Sequence, residues 1–307
     1  MSQGFELTVL GTGSATPTLR RNPSAQVLNV RNHLYLIDCA EGTQIALRKN
    51  KIKFQQIEHV FISHLHGDHY LGLQGLLSTF SLLGRTKELH IYSPTGLKEI
   101  IELHFRISQS PSSFIIHFHE IDKMNDSLLL ENEHLKVHAL SLKHRVPTFG
   151  FLFQEKEKSR HINGPLVKEL KIPYYAFEQL KRGEDFINKE TAEVYSFEKL
   201  TFPADPSYSY AYCSDTAYLP ELSEQIKEVD ILYHETTFMQ KDEALAKKTF
   251  HSTCIEAALI AKKANAKMLL MGHYSSRYPD EESMLNECKS VFENSHFTQD
   301  GDVIKLS

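Results

Sequence analysis

Short apolar runs alternate with amphipathic stretches along this chain, and most of the apolar runs end on residues that carry chemistry. Residues 5–10 alternate like a half-buried strand and run into Gly11-Thr12-Gly13-Ser14, a turn-rich loop. Residues 25–30 and 34–38 predict a hairpin turning near Arg31-Asn32, and the segment after Asp38 leads into a helix. Residues 57–62 are apolar and partly β-branched, as in a buried strand, and 70–83 carry apolar side chains at helical spacing. Further strands are predicted over 89–92, 114–118, 127–131, 135–142 and 149–153, with a helix over 95–105. Strands over 208–213, 229–233 and 267–271 follow, then one over 303–306. Helices are expected to open near Ser252-Thr253, with either residue as N-cap, and near Asp280.

The texture changes over residues 154–202, the predicted insertion. This stretch is charged, holds Gly164-Pro165 and Pro173, and interrupts the strand–helix rhythm. From Lys156 to Lys189 there are eight Lys or Arg against five Asp or Glu. The sequence leaves two readings open, a surface insertion or an arm that grips substrate.

Between the strand at 57–62 and the helix after it lies Ser63-His64-Leu65-His66-Gly67-Asp68-His69. A strand end leading into a loop fans alternate side chains outward, so His64 and His66 can address one ion. Asp68 and His69, past Gly67, can turn to a second. Imidazole nitrogen with carboxylate oxygen suits zinc, with manganese or iron as alternatives. The motif resembles the signature of the metallo-β-lactamase superfamily. That resemblance implies an α/β fold, a four-layer αββα sandwich with the metal site at one edge of two sheets. Asp38, closing its strand, is either an ordinary turn aspartate or the carboxylate that the superfamily places behind a metal ligand.

His144, Asp215 and His273 each directly follow a predicted strand, where side chains converge at a sheet edge. Together with the first motif they make a dinuclear set. His64, His66 and His144 serve one ion, Asp68, His69 and His273 the other, and Asp215 bridges with its two oxygens. Ten further histidines, His33, His59, His90, His104, His117, His119, His134, His138, His161 and His296, lack ligand spacing and are read as structural or solvated.

Composition narrows the class. A chain of 307 residues with 41% apolar content buries a large core, as one domain or one domain with an insertion. A net charge of −5 does not advertise a nucleic-acid binder, although a local basic patch can do that work. Arg20-Arg21, outside any periodic element, are either solvated surface or a phosphate contact. Cys39, Cys213, Cys254 and Cys288 form no C-x-x-C pair, which argues for a reduced compartment and against thiolate zinc. Neither a basic-then-apolar leader in MSQGFELTVLG nor a run long enough to span a bilayer is present, so a cytoplasmic location and no membrane partner are expected.

The run from His64 to Leu77, then His144, Ser214-Asp215-Thr216, His234-Glu235-Thr236-Thr237, His251-Ser252-Thr253 and His273-Tyr274-Ser275-Ser276-Arg277-Tyr278 resembles the ribonuclease Z family, the tRNA 3′-processing endonucleases. The likeness extends from Val9 to Tyr278 and fits the short form. It departs at Leu19, where the family's N-terminal loop carries lysine, and at Thr236, where the family has alanine. It departs also at Tyr174-Tyr175-Ala176-Phe177, which stand where a Gly-Pro-rich arm is expected. The resemblance implies two zinc ions per subunit, precursor tRNA as partner, a homodimer, and 154–202 as the tRNA-binding arm. Two zinc ions lower the pKa of a bound water toward ~7. Asp68 then orients that water and accepts its proton, His251 protonates the departing 3′-oxygen, and Glu235 orients His251. Arg277, with Arg20 and Arg21, contacts phosphate. The rival readings are another dinuclear-zinc hydrolase of this fold, a general phosphodiesterase or a glyoxalase-type thioesterase. A di-iron redox enzyme is disfavoured, since such enzymes carry glutamate where this chain has His66.

Overall fold

A computed structural model describes residues 4–122, 128–189 and 191–306. They form two compact units, one from the chain up to 154 and again from 208 onward, the other from 155–207. In chain order the strands are β1 (Phe5–Gly11), β2 (Ala25–Val30), β3 (His33–Cys39), β4 (Ile57–Phe61), β5 (Leu89–Pro94) and β6 (Ile116–Ile121). Next come β7 (Leu128–Glu131), β8 (Leu135–Leu142) and β9 (Thr148–Glu155), then the short β10 (His161–Ile162), β11 (Phe186–Ile187), β12 (Val194–Tyr195) and β13 (Thr201–Phe202). The set closes with β14 (Ser209–Cys213), β15 (Ile231–Glu235), β16 (Met268–Gly272), β17 (Ser295–Phe297) and β18 (Val303–Leu306).

The helices are α1 (Thr43–Lys49), α2 (Gly67–Leu82), α3 (Leu97–Ser108), α4 (Gly164–Glu169), α5 (Phe177–Lys181) and α6 (Phe197–Leu200), followed by α7 (Leu222–Gln225), α8 (Glu243–Thr249), α9 (Cys254–Lys263) and α10 (Glu281–Lys289).

The first unit holds two seven-stranded sheets, ordered β18-β1-β2-β3-β4-β5-β6 and β17-β16-β15-β14-β9-β8-β7. Alternation within strands sorts their side chains into layers. Phe5, Leu7 and Val9 of β1, Tyr35 and Ile37 of β3 and Phe61 of β4 face Phe149, Phe151, Phe153, Tyr210 and Tyr212 across the gap between the sheets. On the outer face of the first sheet, Val60, Ile62 and Ile91 pack on Leu73, Leu76, Leu77 and Phe80 of α2. Outside the second sheet, Leu232, Leu269 and Met271 pack on Ala258 and Ala261 of α9 and on Met284 and Cys288 of α10. These layers are the expected αββα sandwich. Strands β3 to β6 run parallel, as do β14 to β17, so their carboxyl ends share an edge within each sheet.

Local chemistry explains most boundaries. Arg31 and Asn32 both have positive φ, the geometry of a two-residue loop whose twist matches a hairpin, and Val30 pairs with His33 across it. Thr253 closes a reciprocal capping box with Glu256 at the start of α9. Helix α2 begins at Gly67, with His66 as its extended N-cap, rather than at residue 70 as predicted. Its first turn carries ligand-type residues where a periodicity reading looks for apolar ones. Asp68 there is favoured by the positive end of the helix dipole. Strand β15 reaches Glu235, two residues beyond the expected end, and β6 is displaced towards residue 121. Helix α8, largely polar with Ala246 alone among its seven residues buried, and the three-residue β17 gave no usable periodicity. Residue 127 of the strand expected over 127–131 lies outside the described residues. The four cysteines are free and buried, and no described helix is long and apolar enough to cross a membrane.

The second unit has its own small core of Val167, Ile172, Ala176, Leu180, Phe186 and Leu200. Gly164-Pro165 opens α4, where Asn163 accepts from the Leu166 amide and the proline sits in the first turn. Tyr174 and Tyr175 form an exposed aromatic pair before α5.

Helix α2 lies so close to the end of β3 that a Cβ on Gly72 would stand 1.9 Å from the Ala40 carbonyl oxygen, whereas one on Gly75 meets Gln44 Nε2 at 3.8 Å. Gly72→Ala should therefore cost roughly 1–3 kcal/mol through overpacking. Gly75→Ala should gain up to ~1 kcal/mol from helix propensity. Urea unfolding should show midpoints moving in opposite directions, and a neutral Gly72→Ala would contradict the close approach.

Candidate metal centre

The strand ends bring seven donors into two groups that share one carboxylate. In the first group, His64 Nε2 lies 3.0 Å from His66 Nδ1, and His144 Nε2 lies 3.3 Å from the same atom. Asp215 Oδ2 is 3.6 Å from His64 Nε2 and 3.8 Å from His144 Nε2. In the second group, His69 Nε2 and His273 Nε2 each stand 3.5 Å from Asp68 Oδ2. Asp215 Oδ1 is 3.4 Å from His69 Nε2 and 3.1 Å from His273 Nε2. Donors around a tetrahedral zinc with bonds of about 2.0–2.1 Å are spaced by roughly 3.3 Å, so both groups have the right spacing. His69 Nε2 and His273 Nε2 are buried with no hydrogen-bond partner, which is costly unless something binds them. The donor set therefore fits a pair of divalent ions.

The opposite ring nitrogens are held by the protein. His69 Nδ1 lies 2.7 Å from Asp38 Oδ2, and Asp38 also accepts from the Ser63 amide at 2.7 Å and the Tyr212 hydroxyl at 2.6 Å. Asp38 lies within β3 with φ 53°, and its carboxylate stands behind the expected ligand His69, the second of the two readings its position allowed. His144 Nδ1 lies 2.8 Å from the Phe250 carbonyl oxygen, His64 Nδ1 3.0 Å from Ser63 Oγ, and His273 Nδ1 2.9 Å from Thr237 Oγ1. Such partners fix tautomer and ring direction. Ser63, Tyr212, Thr237 and the Phe250 carbonyl escaped the sequence reading as supports. Ser63 and Thr237 sat in quoted stretches, whereas Tyr212 and the Phe250 carbonyl become neighbours only through the fold.

The electrostatics favour bound cations. Burial, then neighbouring histidines, hold His64 below the usual imidazole range; burial also lowers His66 and His144, against the pull of Asp215. Their lone pairs are thus free of protons. Burial opposes charge on His69 too, yet Asp215, Asp38 and Asp68 carry it well above its ordinary value, as expected where three carboxylates surround one ring. Despite burial, the histidines around them hold Asp68 and Asp215 in the ionised form.

His251 stands beside this centre. Its Nδ1 is 2.9 Å from Glu235 Oε1, and its Nε2 is 4.0 Å from Asp215 Oδ2. Glu235 is fully buried and accepts from the Thr216 amide at 2.9 Å, the Thr237 amide at 3.1 Å and the Thr237 hydroxyl at 2.5 Å. Burial works against a charged His251, but the Glu235 carboxylate, then Asp215, raise it to about 9. Asp215, His251 and His273 also satisfy ligand spacing. We assign His251 outside the ligand set because its Nε2, 4.0 Å from Asp215, stands farther from that carboxylate than Nε2 of His64, His144, His69 or His273.

The arginines separate. Arg20 and Arg277 are exposed, and the Arg277 amide donates to Ser275 Oγ. Arg21 departs from the phosphate-contact expectation. Its guanidinium donates to Thr12 Oγ1 at 2.7 Å and to Glu281, and it lies over the Tyr274 ring at 4.7 Å. Those contacts use two of its five N–H donors and set the guanidinium against Glu281.

The sequence family described as Anti-Pycsar protein Apyc1 matches residues 5–160. Ribonuclease Z of Bacteroides fragilis (strain YCH46) is 45% identical over 302 residues, covering 98% of this chain and 99% of that protein. The crystal structure of the short form of human tRNase Z superposes with a TM-score of 0.73 at 28% identity, covering 98% of this chain and 99% of that one. The metallo-β-lactamase fold protein YhfI from Bacillus subtilis gives a TM-score of 0.70 at 16% identity, over 99% of this chain and 100% of its own, a likeness of fold alone. With near-full-length identity to ribonuclease Z and a dinuclear donor set at the strand ends, this chain belongs to the ribonuclease Z family on the metallo-β-lactamase fold, and its residues 5–160 belong also to the family described as Anti-Pycsar protein Apyc1.

Proposed function

We propose that the chain is a zinc-dependent endoribonuclease that cuts the 3′ trailer from precursor tRNA, leaving a 3′-hydroxyl on the tRNA and a 5′-phosphate on the trailer. The observation that carries the reading is the Asp215 carboxylate set between two donor groups, with the His251–Glu235 pair alongside. When bound, the two ions supply an acidified water and positive charge against the phosphate oxygens. Asp68 orients the attacking water and takes its proton. His251 delivers a proton from Nε2 to the departing 3′-oxygen, while Glu235 holds Nδ1 and keeps the ring charged. Arg277 and Arg20 clamp phosphates outside the centre. The unit at 155–207 supplies tRNA affinity, with exposed Tyr174 and Tyr175 in the place of the family's Gly-Pro element. The same reading carries a homodimer in the cytoplasm, where the four free thiols remain reduced.

Metal analysis should find two ions per chain that depend on the seven strand-end donors, and Asp215→Ala should lose them. Asp68→Ala should nearly abolish cleavage of a 3′-extended tRNA while leaving its affinity within a few-fold, because affinity comes mainly from phosphate contacts elsewhere. A folded variant that no longer binds the precursor would contradict this division of labour.

Replacing residues 155–207 by a short Gly/Ser linker should spare hydrolysis of a small phosphodiester and impair precursor tRNA. Equal losses on the two substrates would make the unit structural only. Full activity on small diesters with no trailer cleavage by the intact protein would favour the general phosphodiesterase.

His251→Ala should slow cleavage with a 3′-alkoxide leaving group by roughly 10²-fold or more. It should matter far less for a diester with an acidic phenol, whose anion departs unaided, and zinc content should hold. Equal loss on both substrates, or loss of zinc, would remove His251 as the acid.

A further inference from the structure

The sequence reading set aside His59, His90, His117 and His119, yet strand register brings them together. Strands β4, β5 and β6 are parallel neighbours, and His59 pairs with His90, which pairs with His117. Cross-strand partners share a face, so three imidazoles from distant parts of the sequence stand in a row. The rings stack at 5.2 Å from His59 to His90 and at 4.7 Å from His90 to His117. His119, two residues along β6 from His117, lies on the same face, and Glu88 directly precedes β5, two residues before His90. His117 Nε2 is 3.0 Å from Glu88 Oε2, and His90 Nδ1 is 3.0 Å from His119 Nε2. Glu88, His90 and His117 each present one donor atom within 4.8 Å of the others.

We propose that Glu88, His90 and His117 form a further cation site, for zinc or a similar transition-metal ion, on the inner face of the first sheet at its β6 edge. Two imidazoles with one carboxylate are a zinc donor set. His119, held against His90 Nδ1, fixes the tautomer and direction of that ring, the part an outer partner plays at a metal site. Behind the three, His59 Nδ1 is buried with no hydrogen-bond partner, so the row is short of donors to satisfy it. Burial, followed by neighbouring histidines, holds His90 and His119 below the ordinary imidazole range and His59 at about 4. A neutral ring is the form that binds metal. The site is separate from the catalytic pair. His59 to Ser63 spans roughly 13 Å of extended chain, and the row lies toward the amino ends of β4, β5 and β6, whereas the expected catalytic donors His64 to His69 follow the carboxyl end of β4. Since β6 ends the sheet, an ion there ties the edge strand to β5 and blunts an edge open to unwanted pairing.

The test counts zinc per chain in holoenzyme dialysed against micromolar free zinc. Wild type is compared with Glu88→Gln and with a His90→Asn/His117→Asn double variant. These side chains are at least partly exposed, and Glu88→Gln keeps the carboxylate's shape. Wild type should hold one ion more than either variant. All three should cleave precursor tRNA at equal rates, and the rise in melting temperature on adding zinc should be larger in wild type. His119→Asn should weaken the extra ion about tenfold. Equal zinc content in wild type and both variants overturns the proposal, as does loss of cleavage together with the extra ion.

Discussion

Asp215 is a carboxylate buried at the junction of the two sheets' strand ends, and a buried charge is tolerable only where opposite charge or hydrogen bonds compensate it. Its compensation comes from histidines on both sides, His64 and His144 toward one oxygen and His69 and His273 toward the other. The arrangement requires donors from the β4–α2 turn, from the end of β8 and from the end of β16 to converge on the end of β14. That requirement gives the sandwich its functional edge. Four strands or helices that share no local sequence are held in register by the apolar layers between and outside the sheets.

Two more buried carboxylates repeat the logic. Asp38 takes hydrogen bonds from a backbone amide, Ser63 Oγ and Tyr212, and with the rest of its capacity orients His69. Glu235 takes two backbone amides and the Thr237 hydroxyl, and orients His251. Neighbouring environments then separate the two histidines. His69 faces the shared centre with Nε2 3.4 Å from Asp215 Oδ1, whereas His251 stands one step outside it, its Nε2 4.0 Å from Asp215 Oδ2. Thr237 touches Glu235, His251 and His273, so it couples the orientation of an expected ligand to that of the expected acid.

The segment 155–207 folds on its own small core, with its Gly-Pro dipeptide spent on starting a helix and two tyrosines exposed. The segment contributes none of the expected ligands, so on the proposed reading its surface can vary without changing the donor set.

Much was legible in the sequence because its cause is local. The H-x-H-x-D-H turn, a strand followed at once by a chemical residue at His144, Asp215 and His273, and the Thr253 cap all express themselves within a few residues. The start of α2 did not, because its first turn is built from ligands rather than apolar residues. Arg21 did not either: the sequence shows an arginine in a loop, and only the fold sets Tyr274, Thr12 and Glu281 around it. The histidine row across β4, β5 and β6 is the sharpest case. Spacings of 31 and 27 residues from His59 to His90 to His117 follow no motif. Parallel pairing of three strands separated by helices made them neighbours. Sequence by itself determined the family, most of the elements and the expected ligand set; tertiary structure decided which distant side chains meet, because register and layer packing act between segments that carry no local record of one another.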